Sequence, residues 1–255
     1  MRQSAVRSSI FTLIGAILAF AFLTGLSGCS ARQDLTIQSD GSGSASVTVT
    51  LHPIMVSYFT DLMSAMTGAD AEHPVFDLDH IRAVFAERPG TRITRLEEPE
   101  RGTLRVDVSF TDVNVLLPPT GSGTPVLAFV RRAAERELRL RLDREALDRM
   151  MDLSPPGAAQ LAGLLLPPTD GSVSRSEFRP EMAWALEEYG ERRVVERVLD
   201  DATIDVVVRT PTPIIRQTGG RIEPGSGDRA VRFSVPVLDV LTLTGERVYS
   251  VVFSP

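Results

Sequence analysis

Strict two-residue alternation is the feature that most limits the folds open to this chain. Leu104, Val106, Val108 and Phe110 alternate with Arg105, Asp107 and Ser109, and Val231, Phe233, Val235 and Val237 repeat the pattern near the C-terminus. Successive side chains of a strand point to opposite faces, so each run has one apolar and one polar side and needs a sheet buried on one face. Val47, Val49 and Leu51 against Ser46, Thr48 and Thr50 make a third run. It follows Asp34–Gln38 and the sequence Asp40-Gly41-Ser42-Gly43, which predicts a β-hairpin because Asp-Gly supplies the positive φ of a tight turn. That turn lacks the distal Glu and the ligand spacing of a calcium loop.

Between the strands the period becomes helical. Pro53 opens a segment in which Ile54, Tyr58, Leu62 and Met66 form one row and Met55, Phe59 and Met63 the next, a wide apolar stripe. Asp77 caps a second helix running to Glu87, with Leu78, Ile81, Val84 and Phe85 inward. Helices are also expected over Arg144–Leu153, Pro155–Leu166, Ser174–Tyr189 and Glu191–Leu199, the third opened by a Ser174/Glu177 capping box. Further strands are expected at Ile93–Leu96, Val126–Val130, Glu137–Asp143, Thr203–Arg209, Ala230–Leu238 and Arg247–Phe253. Val113–Leu117 reads as a continuation of the preceding strand past a bulge, and Pro236 as a mark of an edge strand or bulge. Arg131–Arg141 also reads as a charged helix, but the alternation of Leu138, Leu140 and Leu142 with Arg139 and Arg141 favours a strand. The Pro/Gly-rich stretches 118–125, 166–173 and 210–228 read as connections. The expected fold is α+β: an antiparallel β-sheet with helices packed on one face, forming a single domain over residues 35–255.

Composition narrows the chemistry. The net charge is −6, and all 27 basic residues are Arg. An acidic balance argues against a nucleic-acid binder, so no nucleic acid is expected as partner. With one Cys there is no internal disulfide framework and no Cys-built metal site. The motifs G-x-S-x-G, H-E-x-x-H, the phosphate loop and G-x-G-x-x-G are all missing from the sequence. Glu72, His73, Asp77, Asp79 and His80 lie within nine residues and have metal-binding side chains, but Asp is favoured at a helix start and the spacing matches no known ligand set. No metal, cofactor or catalytic residue is therefore assigned, and the chain is read as non-enzymatic. Phe178, Trp184 and Leu186 read as anchors of their helix on the sheet, with an exposed aromatic recognition site as the alternative. The run Arg131, Arg132, Arg136, Arg139, Arg141 and Arg144 is interleaved with Glu135, Glu137, Asp143 and Glu145, which describes a mixed solvated face.

The N-terminal segment gives the location. Arg2 and Arg7 precede an uncharged run from Ile10 to Leu26, then Leu26-Ser27-Gly28-Cys29. A basic start, an apolar run and a small-residue end describe a cleaved signal segment. Leu-Ser-Gly-Cys resembles the lipobox of bacterial lipoproteins, and it uses the only Cys of the chain. That resemblance implies cleavage before Cys29 and lipidation of its thiol. It also implies a membrane partner held through the N-terminal lipid anchor, with the protein in the cell envelope, at the outer membrane or the periplasmic face of the inner membrane. Residues 1–28 are then the lipoprotein signal peptide and 29–34 a short tether. Six steps from Cys29 to Leu35 reach at most about 20 Å, so the domain sits close to the bilayer.

The order of lipobox, Asp-Gly-Ser-Gly hairpin, helical insert, strands, LSPPGAAQLAGLL…F…ALEEYG and closing strands looks like that of bacterial envelope lipoproteins. The opening hairpin resembles, more loosely, that of LppM-type lipoproteins. The LppM likeness implies a β-sheet domain with helices against it and a link to glycolipid binding, and it transfers no functional residue. The first reading is thus a non-catalytic, membrane-anchored lipoprotein that binds a lipid, a glycolipid or an envelope protein. The second is a structural or assembly module without a small ligand, and the third an envelope hydrolase or metalloenzyme. As a ligand wall the sequence offers Met55, Phe59 and Met63, since Met adapts to varied apolar partners. The alternative for the same stripe is packed core.

Overall fold

The computed structural model describes residues 30–67, 74–116, 125–144, 146–147, 167 and 172–255. The expected signal segment, Cys29, Glu72 and His73, most of the helices expected over 144–166 and most of the connections 118–125 and 166–173 lie outside the described residues. In chain order the elements begin with β1 (Ser30–Ile37), β2 (Gly43–Thr50), α1 (Pro53–Thr67), α2 (Leu78–Ala86), β3 (Thr91–Glu100), β4 (Thr103–Phe110), β5 (Leu127–Arg131) and β6 (Arg136–Leu142). They continue with α3 (Arg175–Ala185), α4 (Arg192–Asp201), β7 (Thr203–Arg209), β8 (Ile214–Thr218), β9 (Arg221–Ile222), β10 (Ala230–Pro236), α5 (Val237–Leu241) and β11 (Arg247–Phe253).

The opening hairpin forms as its sequence dictates. Asp40 Oδ1 accepts from Ser42 N at 2.9 Å and from Ser42 Oγ at 2.6 Å, and Gly41 takes the positive φ of 83°. A Cβ on Gly41 would stand 2.8 Å from Arg131 Nη2 and 2.9 Å from Phe129, so the turn also needs Gly for close packing. The strand starts earlier than expected. Ser30–Asp34, read as tether, are ladder residues paired with β2 on one side and β7 on the other. Their alternation, with Ala31 and Leu35 inward, is that of a half-buried strand.

The α+β class holds, but the strands form two sheets rather than one. The larger has the order β3-β4-β2-β1-β7-β10-β9, and the smaller has the order β5-β6-β11-β8. β7 joins β1 in parallel, so the large sheet is mixed rather than antiparallel. A parallel neighbour requires a long crossover, and the excursion from Thr50 to Thr203 provides it.

Register puts Gln33, Val47, Val106, Val206 and Phe233 in one row across the large sheet, and Leu35, Ala45, Val108, Val208 and Val231 in the next. This face is apolar. The opposite face is a polar network, with Arg32 Nε on Asp34 at 2.8 Å, Arg232 Nε on Glu223 at 2.5 Å and Ser46 Oγ on Asp107 at 2.6 Å. Two kinds of cover lie on the apolar face. At the end where β7 starts and β10 stops, α3, α4 and α5 pack together and contribute Phe178, Met182, Leu186, Val195, Leu199 and Leu238 to the core. At the hairpin end the small sheet takes over. Arg136 Nε donates to Ser39 O at 2.8 Å and Arg131 Nη2 donates to Asp40 O.

Three expectations change. Val113–Val115 is a turn of 3-10 helix, not strand, because Asp112 caps it through Asn114 N at 3.0 Å. The strand expected to Leu238 stops at Pro236, and Val237–Leu241 is helical with Val237, Leu238, Val240 and Leu241 all buried. β10 is an interior strand, but β9 reaches only Val231 and Arg232, so the missing N–H of Pro236 falls where no neighbour needs it. Residues 210–228 are no simple connection: they carry β8 to the small sheet and β9 back to the large one.

Candidate functional site

The two apolar faces do not close completely on each other. Between them lies a cavity of about 130 Å³. The large sheet lines it with Gln33, Leu35, Val47, Val106, Val206 and Phe233, and the small sheet with Leu127, Leu138, Leu140, Leu142, Tyr249 and Val251. Phe85 of α2, Leu116 and Val240 of α5 complete the wall. Its volume is similar to that of engineered apolar cavities of roughly 150 Å³ that stay dry and bind benzene. It therefore has room for a segment of an acyl chain rather than for a whole lipid.

Close packing sets one side. Phe233 and Tyr249 meet edge to face at 5.5 Å. Gly219 and Gly220 lie against them, where a Cβ would come within 2.7 Å of Tyr249 and 2.6 Å of Phe233. The glycine pair that made 210–228 look like a loop thus lets β8 and β9 pass beside the two rings.

Two polar groups interrupt the apolar surroundings. Gln33 stands at the parity of Ala31, Leu35 and Ile37, and its Nε2 is buried without a hydrogen-bond partner. A buried donor left unpaired costs about 1–3 kcal/mol. Arg88, 8% exposed, lies behind the wall formed by Phe85 and Leu116. Its guanidinium is 5.9 Å from the Phe85 ring centre, and Nη1 donates to Leu116 O at 3.1 Å, while Nε has no partner. Burial pushes the Arg88 pKa down to about 10, which leaves the group charged at neutral pH. The signal for both was present in the sequence: a Gln at an inward position of a strand, and an Arg in the turn closing an amphipathic helix.

The sequence-proposed wall lies elsewhere. Met55 is fully buried, and Ile54, Tyr58, Phe59 and Leu62 pack against the same core. Met63 is half-buried. None of Met55, Phe59 and Met63 lines the intersheet cavity. Tyr189 holds α1 in place: its ring meets Tyr58 edge-on at 5.5 Å, and burial together with a hydrogen bond to Asp61 pushes its pKa up to about 12.

Of the acidic and His cluster, Asp77 Oδ1 accepts from His80 N at 2.9 Å as the helix cap, and Asp79 pairs with Arg82. Among the described residues, no group of three or more His, Cys, Asp or Glu is placed to hold a metal. The Arg run is tied up within the fold: Arg139 and Arg132 pair with Glu137 at 2.7 and 3.2 Å, and Arg141 pairs with Asp143. Trp184 corrects the expected anchoring. Phe178, Met182 and Leu186 carry α3 into the core, and Trp184 is 73% exposed on its outer side.

No protein-family model matches the chain, and no curated protein matches it. Among solved structures it is similar to the NMR structure of the folded domain of the Mycobacterium tuberculosis LppM protein. The identity is 13% and the TM-score 0.39, over 89% of this chain and 90% of that one.

Proposed function

We propose that this protein is a non-catalytic lipoprotein of the bacterial envelope, anchored through Cys29, whose two-sheet domain holds an apolar segment of a lipid or glycolipid. The observation that carries the reading is the intersheet cavity, walled by aliphatic and aromatic side chains from both sheets. Concave, apolar sites with a few polar groups are where small ligands bind. The anchor supports the same reading. Cys29 directly precedes β1, and Gln33 in that strand lines the cavity. The four residue steps from Cys29 to Gln33 span roughly 13 Å, so lipidation at Cys29 would keep the cavity near the bilayer.

The test is extraction of the protein, purified from its native membranes, followed by mass spectrometry of the extract and of the N-terminal peptide. A diacylated Cys29 and a second, non-covalent lipid are expected. Ala45→Phe fills the cavity from the large sheet and should abolish the second lipid while the protein stays folded. An unmodified Cys29 overturns the anchor, and loss of no lipid in the filled variant overturns the cavity as the site. Exposed Trp184 favours one other reading, a module that assembles with an envelope protein through α3.

A further inference from the structure

We infer that the cavity is made for a chain bearing an oxygen acceptor, an acyl ester rather than plain hydrocarbon, whose carbonyl takes the hydrogen bond of Gln33 Nε2. This rests on the lipid-holding reading and specifies which part of the lipid enters. Gln33 is opposite Val47 in β2 and Val206 in β7, at the centre of the apolar face, where a Val, Leu or Met would satisfy the sheet better. Its Nε2 is enclosed and unpartnered, and no hydroxyl, carboxylate or backbone carbonyl of the described residues accepts from it. The side chain lines the cavity, so the space next to it belongs to whatever occupies that cavity.

The neighbours of Gln33 along its own row and the next are apolar, Val47, Val106, Val206 and Leu35 from the large sheet, and Leu138 and Leu140 line the cavity from the small one. A hydrocarbon alone would leave the donor unmet, and a free headgroup would leave the aliphatic walls unmet. An ester carbonyl with its adjoining methylenes meets both, as a buried donor and an apolar wall together require. Gln33 is here a binding residue and assists no reaction.

The test uses the full chain, held in amphipol and labelled with ¹⁵N and with ¹³C at its methyl groups. It is titrated in turn with methyl octanoate and with undecane, which have equal numbers of heavy atoms. Both should shift the methyl resonances of Val106, Leu140 and Val251. Only the ester should move the Gln33 side-chain NH₂ resonances downfield. Gln33→Met, of similar length and without the donor, should lower the ratio of ester to hydrocarbon affinity by about 10-fold, the worth of one hydrogen bond. If neither compound shifts the cavity methyls, the lipid-holding reading itself fails. If both shift them and the Gln33 resonances stay still, or if Gln33→Met leaves the ratio unchanged, the cavity holds hydrocarbon, Gln33 serves only water, and this inference is overturned while the lipid-holding reading stands.

Discussion

Asn114, the one Asn of the chain, behaves as a piece of strand backbone. Its Oδ1 accepts from Phe129 N at 2.7 Å and its Nδ2 faces Phe129 O at 3.4 Å, so the side-chain amide pairs with β5 as a peptide group would. Phe129 is 6% exposed, and its backbone has no water to turn to. Asn114→Ala should therefore destabilise the fold by about 1–3 kcal/mol, read as a lower denaturation midpoint at unchanged slope. Asn114→Asp keeps the acceptor but loses the donor that faces Asp112 Oδ1 at 2.9 Å and sets two carboxylates side by side, so it should lose at least as much. Gln33 is the opposite case: an amide of the same chemistry placed where no protein group answers it. That contrast between the two amides separates a structural polar group from one assigned to a ligand.

The elements form where local chemistry is strong. The Asp40-Gly41 turn, the Asp77 cap and the Ser174/Glu177 capping box all appear as their residues dictate, with Glu177 Oε2 accepting from Ser174 N at 2.8 Å. So does the run Leu104–Phe110. What local chemistry misses is decided by partners far along the chain. β8 and β9 are five and two residues long, flanked by Thr210-Pro211-Thr212-Pro213 and split by Gly219-Gly220, and they are strands only because β11 and β10 offer them edges. α5 continues the alternating run of β10 in sequence but buries Val237, Leu238, Val240 and Leu241, all but Asp239, which removes the signal of either period. The cavity is less legible still, because it depends on how two sheets stack.

The polar face of the large sheet carries its own prediction. Arg32 and Arg209 beside Asp34 hold that carboxyl below the usual range despite some burial, and Arg232 does the same for Glu223. Arg179 binds Asp200 through two hydrogen bonds, at 2.8 and 2.7 Å, joining α3 to α4 and lowering the Asp200 pKa. A carboxylate whose folded pKa is depressed adds stability above its unfolded pKa and loses it as pH falls through the folded one. The thermal midpoint should accordingly be level near neutrality and fall as pH drops from about 4 toward 2. The Arg179→Met variant should show a smaller fall. A midpoint that rises with acid would contradict the pairing.

At the scale of the whole molecule, two amphipathic sheets face each other over a core shared with the helices. The helices close one end tightly: Met55, Leu186 and Leu199 are almost wholly buried. The space is left between strands of both sheets, and Met55, Phe59 and Met63 of α1 lie outside its lining. A direct check is a filtered nuclear Overhauser experiment on the full, methyl-labelled chain with an unlabelled acyl ester bound. Cross-peaks are expected from the chain methylenes to Val106 and Val206 of the large sheet and to Leu140 and Val251 of the small one, with none to the Met55 methyl. Contacts confined to α1, or contacts to one sheet only, would contradict the intersheet site.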